Sequence, residues 1–310
     1  MKHLKLLLAA LFAMFGMNSY AQSWTGNEVT TGTFFLFNVG AQKYLNNGDP
    51  NQDWGTNAYL QANFGLDVTL EANGSDFNIR TDVSNGGQSY YLATSTWCDG
   101  GATPWTFTPI ETGSTIYTIS NGGKYLVANN DGNDVEYGAL SGTAANNQWL
   151  LVSLDDFKAA MRNKTYSTTD PMDVSVFIKA RSFARNDLRN NTAWVTSHNG
   201  GNWDWIAGAE NKYYGNEAWN QTFDVHQAIT DLPKGTYEVR CSGFGTNGTT
   251  YVYGNATKAP MMTDNTTSWG TDKVAKWKAI HHDNAFSGNS SGTFLVVDGK
   301  LTVGIKRETT

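Results

Sequence analysis

Short apolar–polar alternations, not helical periods, run along this chain. "FFLFNV" (34–39), "DFNIRT" (76–81) and "IYTISN" (116–121) each alternate as a half-buried strand does. A turn containing glycine follows each, as in "SNGGQSYYLATS" and "ISNGGKYLVANN", and then Tyr-Leu: Tyr44-Leu45, Tyr91-Leu92 and Tyr125-Leu126. The second and third copies end in a Trp-led run, "WTFTPI" from Trp105 and "WLLVSL" from Trp149, where the first has "LDVTLEA" from Leu66. A period of about 35 to 45 residues marks a repeat. Three units are too few for a propeller, and the helical period of ankyrin or leucine-rich repeats is missing. Three four-stranded units closing on one another predict a β-trefoil over 30–153, with the repeated Tyr-Leu and Trp positions filling its core.

The pattern changes after Val152. "LDDFKAAMRN" predicts a short helix with Leu154, Phe157 and Ala160 on one side and Ser153 or Asp155 capping its start. With the polar run ending at Pro171 it makes a connector over 154–171. Beyond it, "VSVFIKARSF" (174–183) alternates. "WNQTFDVHQAI" (219–229) sets Trp219, Phe223 and Val225 on one face. "TYEVRCSGF" sets Tyr237, Val239 and Cys241 on one face and Glu238 and Arg240 on the other. "TTYVYG", "GTFLVVDG" and "LTVGI" follow. "DLPKG" reads as a turn and Asp298-Gly299 as a hairpin between two strands. At least six strands without a helical stretch predict a β-sandwich, a jelly roll, over 172–310. No closing strand follows 301–305, so this unit reads as C-terminally truncated. The fold class is all-β: trefoil, short helical connector, sandwich.

The first 21 residues are read apart from the fold. Lys2 and Lys5, an apolar run over 6–15 and Ser19-Tyr20-Ala21 form a signal peptide cleaved near Ala21-Gln22. The expected location is therefore outside the cell, at its surface or in a periplasm. The apolar run is too short for a stable span, and no membrane insertion is expected.

Composition narrows the function. The formal charge of −6 argues against nucleic acid, which needs a basic face. Charged residues are only 16%, against 13% aromatics and 32 glycines, the profile of tight turns and aromatic surfaces. Cys98 and Cys241 are too few for a disulfide framework and fall in different units; thiols are expected, with a bridge between them as the alternative.

Both units resemble known families. The first, over about 33–154, resembles the ricin-type β-trefoil lectins, Gln148-Trp149 being a worn Gln-x-Trp signature. Pro104-Trp105 stands in the second unit, and the first has no Trp there. The second is similar to the galactose-binding-like jelly rolls of secreted Gram-negative proteins that accompany polysaccharide-degrading enzymes. The stretches 217–244 and 296–306 carry that likeness, and in that family the latter is followed by a further strand. The resemblance implies a carbohydrate-binding accessory role.

Asn216-Glu217 is similar to the acid/base pair of some glycosidases but reads as a turn before a strand, so no catalytic residue is assigned. His281-His282-Asp283 reads as a solvated loop, since neighbouring ligands on a strand point apart; no metal and no cofactor are expected. Aromatic residues next to amides and carboxylates suit sugars, whose C–H faces stack while hydroxyls hydrogen-bond. "SHNGGNWDWIAG" (197–208) offers Asn202, Trp203, Asp204 and Trp205 in a loop. "DPNQDWGTNAYL" (49–60) offers Asp53, Trp54 and Asn57, and Trp97 with Asp99 holds a similar place in the second repeat. Tyr251, Tyr253 and Trp269 are weaker candidates, and binding residues are expected where the copies differ, the 129–134 loop included. The expected function is non-catalytic glycan binding. The alternatives are a protein-interaction or adhesin module, and the accessory region of a larger glycoside hydrolase, with a catalytic or surface protein as partner.

Overall fold

The computed structural model describes residues 24–47, 56–62, 65–84, 89–163, 172, 174–180, 190–199, 202–207, 214–219, 221–242, 249–261 and 290–308. The N-terminal segment read as a signal peptide, Asp53, Trp54, Trp269 and the 281–283 cluster lie outside them. Ten strands make the first sheet: β1 (Gly32–Asn38), β2 (Lys43–Asn47), β3 (Ala58–Gln61), β4 (Asp67–Asn73), β5 (Asp76–Arg80), β6 (Pro104–Pro109), β7 (Ile116–Asn121), β8 (Lys124–Ala128), β9 (Val135–Gly138) and β10 (Trp149–Val152). Six of them close a ring by antiparallel pairing in the order β1-β4-β5-β6-β7-β10 and back to β1. Hairpins extend from it, β2 with β3 and β8 with β9, and in the second unit a pair of bridges through Tyr91. This is a trefoil-like, all-β arrangement. The Gly122-Gly123 turn that opens β8 has φ of 54° and 79°, the two positive values a two-residue hairpin of the favoured twist needs.

The repeated side chains perform one task three times. Leu45, Leu92 and Leu126 are each fully buried in the barrel. The Trp105 indole N–H donates to the Leu92 carbonyl at 2.9 Å, and that of Trp149 to the Leu126 carbonyl at 2.8 Å. In the first unit, which lacks the tryptophan, the backbone N–H of Leu66 donates to the Leu45 carbonyl at 2.8 Å. The tyrosines of the Tyr-Leu pairs differ from the expectation of a shared core. Tyr91 and Tyr125 are half-buried, and Tyr44 is buried against the outside of the barrel.

β1 and β10 depart from half-burial in an instructive way. Phe34 and Leu36 point into the barrel, and so do Trp149 and Leu151; Phe35, Phe37, Leu150 and Val152 point out and are also buried. A cover over this flank explains it. Helix α1 (Leu154–Asn163) lays Leu154, Phe157 and Met161 there, and Trp24 packs on Phe157 with ring centres 4.6 Å apart while its indole donates to the Tyr44 hydroxyl. Ser153 caps the helix: its hydroxyl accepts from the Asp156 N–H, and the Asp156 carboxylate accepts from the Ser153 N–H in return. The same apolar cluster continues without a break into Val176, Phe177, Trp194 and the inner face of the second sheet.

That sheet runs β11 (Val195–Asn199), β14 (Thr222–Ser242), β17 (Ser290–Arg307), β15 (Thr250–Gly254), β16 (Thr257–Pro260), all antiparallel; β12 (Asn202–Ala207) and β13 (Tyr214–Trp219) pair separately. Several expectations are corrected here. The described part of the 174–183 run, residues 174–180, holds a 3-10 turn, Ser175–Phe177, where a strand was expected. The buried Gln227 amide bonds both backbone groups of Lys179, at 2.9 and 3.0 Å, and so replaces a ladder. A second short helix, α2 (Asn190–Ala193), follows. Trp219 ends β13 instead of sharing a strand with Phe223. "DLPKG" and Asp298-Gly299 do not reverse the chain: β14 and β17 pass through together, with register shifts on both sides of Leu232. Asp231 and Gly299 keep the positive φ of turn residues, 60° and 84°, but spend it on bulges. The pair bends there, and its far half folds back on the sheet. A Cβ on Gly254 would lie 2.8 Å from Leu295 and 3.0 Å from Val239. Alternation over 236–241 is as expected, with Val239 inside and the Glu238–Arg240 ion pair outside. Cys98 and Cys241 are both thiols; burial raises both pKa values, that of Cys241 to about 12.

Candidate functional site

The residues singled out in the sequence separate into three groups. Asp53 and Trp54 fall outside the described residues. Asn202, Trp203, Asp204 and Trp205 form not a loop but strand β12, in register with Trp219, Ala218, Glu217 and Asn216. The supposed turn at Asn216-Glu217 is accordingly strand β13. Asn57 and Trp97, read as counterparts in two repeats, meet directly across an antiparallel bridge, with Ala58 N–H on the Thr96 carbonyl and Cys98 N–H on the Thr56 carbonyl. Asp99 sits half-buried beside it. The Thr56 hydroxyl and the Asn57 Oδ1 are closed off from solvent and have no hydrogen-bond partner among the described residues. These atoms make a seam between units, not an open acceptor surface. The 129–134 loop is likewise spent on itself: Asn129 Oδ1 accepts the N–H groups of Asn133 and Asp134, and Lys43 Nζ reaches Asn133 Oδ1 at 2.7 Å.

An open constellation stands instead on the outer face of the second sheet. Phe223, Val225 and Gln227 of β14 face the core or its edge, so Asp224 and His226 face out. Asp224 lies opposite Ser197 of β11 and Lys306 of β17, and Lys306 lies opposite Tyr251 of β15. In the next row His226 is opposite Gly304, and Gly304 opposite Tyr253. Gly304 has no side chain, and the Tyr253 ring occupies that space; a Cβ there would lie 2.6 Å from the ring. The ring thus lies across the strand, and its hydroxyl donates to Asp224 Oδ1 at 2.6 Å. His226 Nδ1 is 3.2 Å from the same oxygen. Burial first, and then this bond, pushes the Tyr253 phenol well above its ordinary pKa.

Where β11, β14 and β17 end, Ser197, His198, Thr222, Phe223, Asp224, Lys306, Arg307 and Glu308 line an open groove. Phe223 is half-buried at the edge of the core and lies in this lining, and the other residues offer hydrogen-bonding groups. Glu308 bridges the lysines next to it, accepting from Lys258 at Oε2 and holding Lys306 at Oε1, both at 2.7 Å. Lys258 also sits 4.2 Å over the Tyr251 ring. Its bonds to Lys258 and Lys306 hold the Glu308 carboxyl down, at about 2. A depressed carboxyl stabilises the fold fully above its ordinary value, and the contribution fades as the pH falls toward 2. NMR titration of Glu308 should therefore show a midpoint near 2, not near the ordinary value of 4.5; a midpoint at the ordinary value would mean that the bridge does not form.

Among the described residues no group of three or more His, Cys, Asp or Glu is placed to hold a metal ion, and no helix is long and apolar enough to cross a membrane. No family model matches the chain and no curated protein matches it. Solved structures do match. A designed three-fold symmetric protein, ThreeFoil, is 18% identical over 39% of this chain and 98% of its own, with a TM-score of 0.28. A salivary protein from Culex quinquefasciatus, of a cysteine- and tryptophan-rich family, is 19% identical over 40% and 94%, TM-score 0.30. Cry35Ab1 is 11% identical over 90% and 82%, TM-score 0.29. At such scores none of them carries an argument; the barrel rests on its own strand pairing.

Proposed function

We propose that this chain is an exported, non-catalytic glycan-binding protein and that the groove beside Asp224 receives a hydroxyl-rich ligand. The observation that carries the reading is the fixed carboxylate. Tyr253 and His226 both address Oδ1 of Asp224, which holds a carboxylate of the groove lining in place. Sugars combine apolar C–H faces with hydroxyls and suit such a surface. In this reading the barrel is a ricin-type-like trefoil serving as scaffold or further lectin module, and the second unit a galactose-binding-like sandwich. The back-folded β14–β17 pair supports the sandwich. The adhesin alternative draws on one feature, the exposed Phe294 and Val296 side by side on the outer face of that pair.

Affinity electrophoresis through a panel of polysaccharide gels tests it. The mature protein should be retarded, and Asp224→Ala should lose about tenfold or more in affinity, the worth of a hydrogen bond to a charged group, while its circular dichroism spectrum stays that of the folded protein. Lack of retardation on any gel, or full retention by Asp224→Ala, sinks the assignment.

A further inference from the structure

We propose that Asp224 and Lys306 act as one acceptor–donor pair and that the groove selects glycans carrying two adjacent free hydroxyls. The inference deepens the glycan reading above and rests on it. The two residues stand directly opposite each other on β14 and β17, on the same face, so their Cβ atoms are about 4.5–5.5 Å apart. Both line the groove, and both side chains keep access to solvent, 40% for Asp224 and 27% for Lys306. Opposite charges so placed would ordinarily close on each other. Among the described residues they form no ion pair together, because each is drawn to a different partner. Asp224 Oδ1 takes the Tyr253 hydroxyl and lies beside His226 Nδ1, while the Lys306 ammonium goes to Glu308 Oε1. One phenol touches both: its hydroxyl holds the carboxylate, and its ring centre lies 5.4 Å from the ammonium. An acceptor and a donor therefore stand side by side without satisfying each other. The carboxylate has lone pairs beyond its two contacts, and the ammonium has donors beyond the one given to Glu308. Two hydroxyls on neighbouring carbons meet that arrangement, one giving its proton to Asp224 and the other accepting from Lys306, both as charge-assisted bonds. An isolated hydroxyl meets only half of it.

Linkage chemistry supplies the test. Chains of 1,4-linked glucose, mannose or galactose keep two adjacent ring hydroxyls free in every unit. In 1,3-linked glucan the linkage occupies the carbon between the two free ring hydroxyls. In affinity electrophoresis wild type should be retarded by at least one 1,4-linked gel, and about tenfold or more less strongly by 1,3-linked glucan, the worth of one hydrogen bond to a charged group. Periodate cleaves between adjacent hydroxyls, so oxidising and then reducing the retarding polysaccharide should abolish its effect. Lys306→Met keeps the aliphatic stem and removes the donors; on the same gel it should lose about tenfold or more in affinity, for the same reason, while keeping the circular dichroism of the folded protein. Retardation by 1,3-linked glucan equal to or stronger than by every 1,4-linked gel would overturn the proposal. So would undiminished retardation after periodate, or full affinity in a folded Lys306→Met. In each of these cases wild type still binds a polysaccharide, and the glycan reading stands. If Lys306→Met does not fold, the linkage and periodate comparisons on wild type decide. If no gel retards wild type, the glycan reading falls and this assignment with it.

Discussion

Trp105→Ala should leave little folded barrel at room temperature. The side chain is fully buried, and its indole N–H is the donor to the buried Leu92 carbonyl. Truncating a core tryptophan costs about 3–5 kcal/mol, and the stranded carbonyl adds about 1–3 kcal/mol. Together these approach the whole stability of a typical domain, about 5–15 kcal/mol. Trp105→Phe isolates the second part: most of the volume stays, the donor is lost, and the urea midpoint should fall by a smaller step. The first repeat supplies the control. There a backbone N–H, that of Leu66, bonds the Leu45 carbonyl, so Leu66→Ala opens a cavity without stranding an acceptor. Urea unfolding should order the three Trp105→Ala, then Leu66→Ala, then Trp105→Phe. If Leu66→Ala and Trp105→Ala prove equal, the indole bond contributes nothing.

The barrel was legible in the sequence because its three-fold repetition restates the same constraint. Alternation, a glycine turn, Tyr-Leu and a Trp-led strand recur, and a fold with one buried position per repeat is the economical explanation. The double-sided burial of β1 was not legible. "FFLFNV" fits a half-buried strand, and the cover on its outer flank comes from Trp24 and Phe157, which the pattern of β1 does not encode. In the second unit the turn residues were recognised by their chemistry but not by their use. Asp231 and Gly299 do take positive φ, yet two long strands absorb it as bulges, and nothing local distinguishes a bulge from a reversal.

The groove was missed for a related reason. Tryptophans beside amides mark a sugar site in the sequence, whereas Asp224 and His226 stand only as the polar half of an alternating run whose apolar half marks the core. Their i, i+2 spacing did announce a shared face. What it did not announce was that Tyr253, 29 residues beyond Asp224, would lie across Gly304 to reach them. Asn57 and Trp97 show the reverse case. Each looked like an equivalent loop residue in its own repeat, and pairing between repeats joined them in a seam whose polar atoms are shut away from solvent.

Gly304→Ala is the sharpest probe of that arrangement. The new Cβ would lie 2.6 Å from two atoms of the Tyr253 ring and 2.7 Å from its hydroxyl oxygen, well inside contact distance. The obstructing atoms belong to a side chain, so the ring can swing away while the strands stay paired. Overpacking of this kind costs about 1–3 kcal/mol, and the sheet should survive with a lowered melting temperature. The site should not. Once the ring moves, Asp224 loses its donor and is held by His226 alone, and glycan affinity should fall about tenfold or more, as for loss of a hydrogen bond to a charged group. Tyr253→Phe separates the two effects: it keeps the ring on Gly304, removes only the hydroxyl, and should lower affinity with less change in melting. The prediction fails if Gly304→Ala retains wild-type affinity, because Tyr253 would then have no part in positioning Asp224. It fails as well if Tyr253→Phe binds normally while Gly304→Ala does not, for in that case the glycine matters to the sheet and not to the carboxylate.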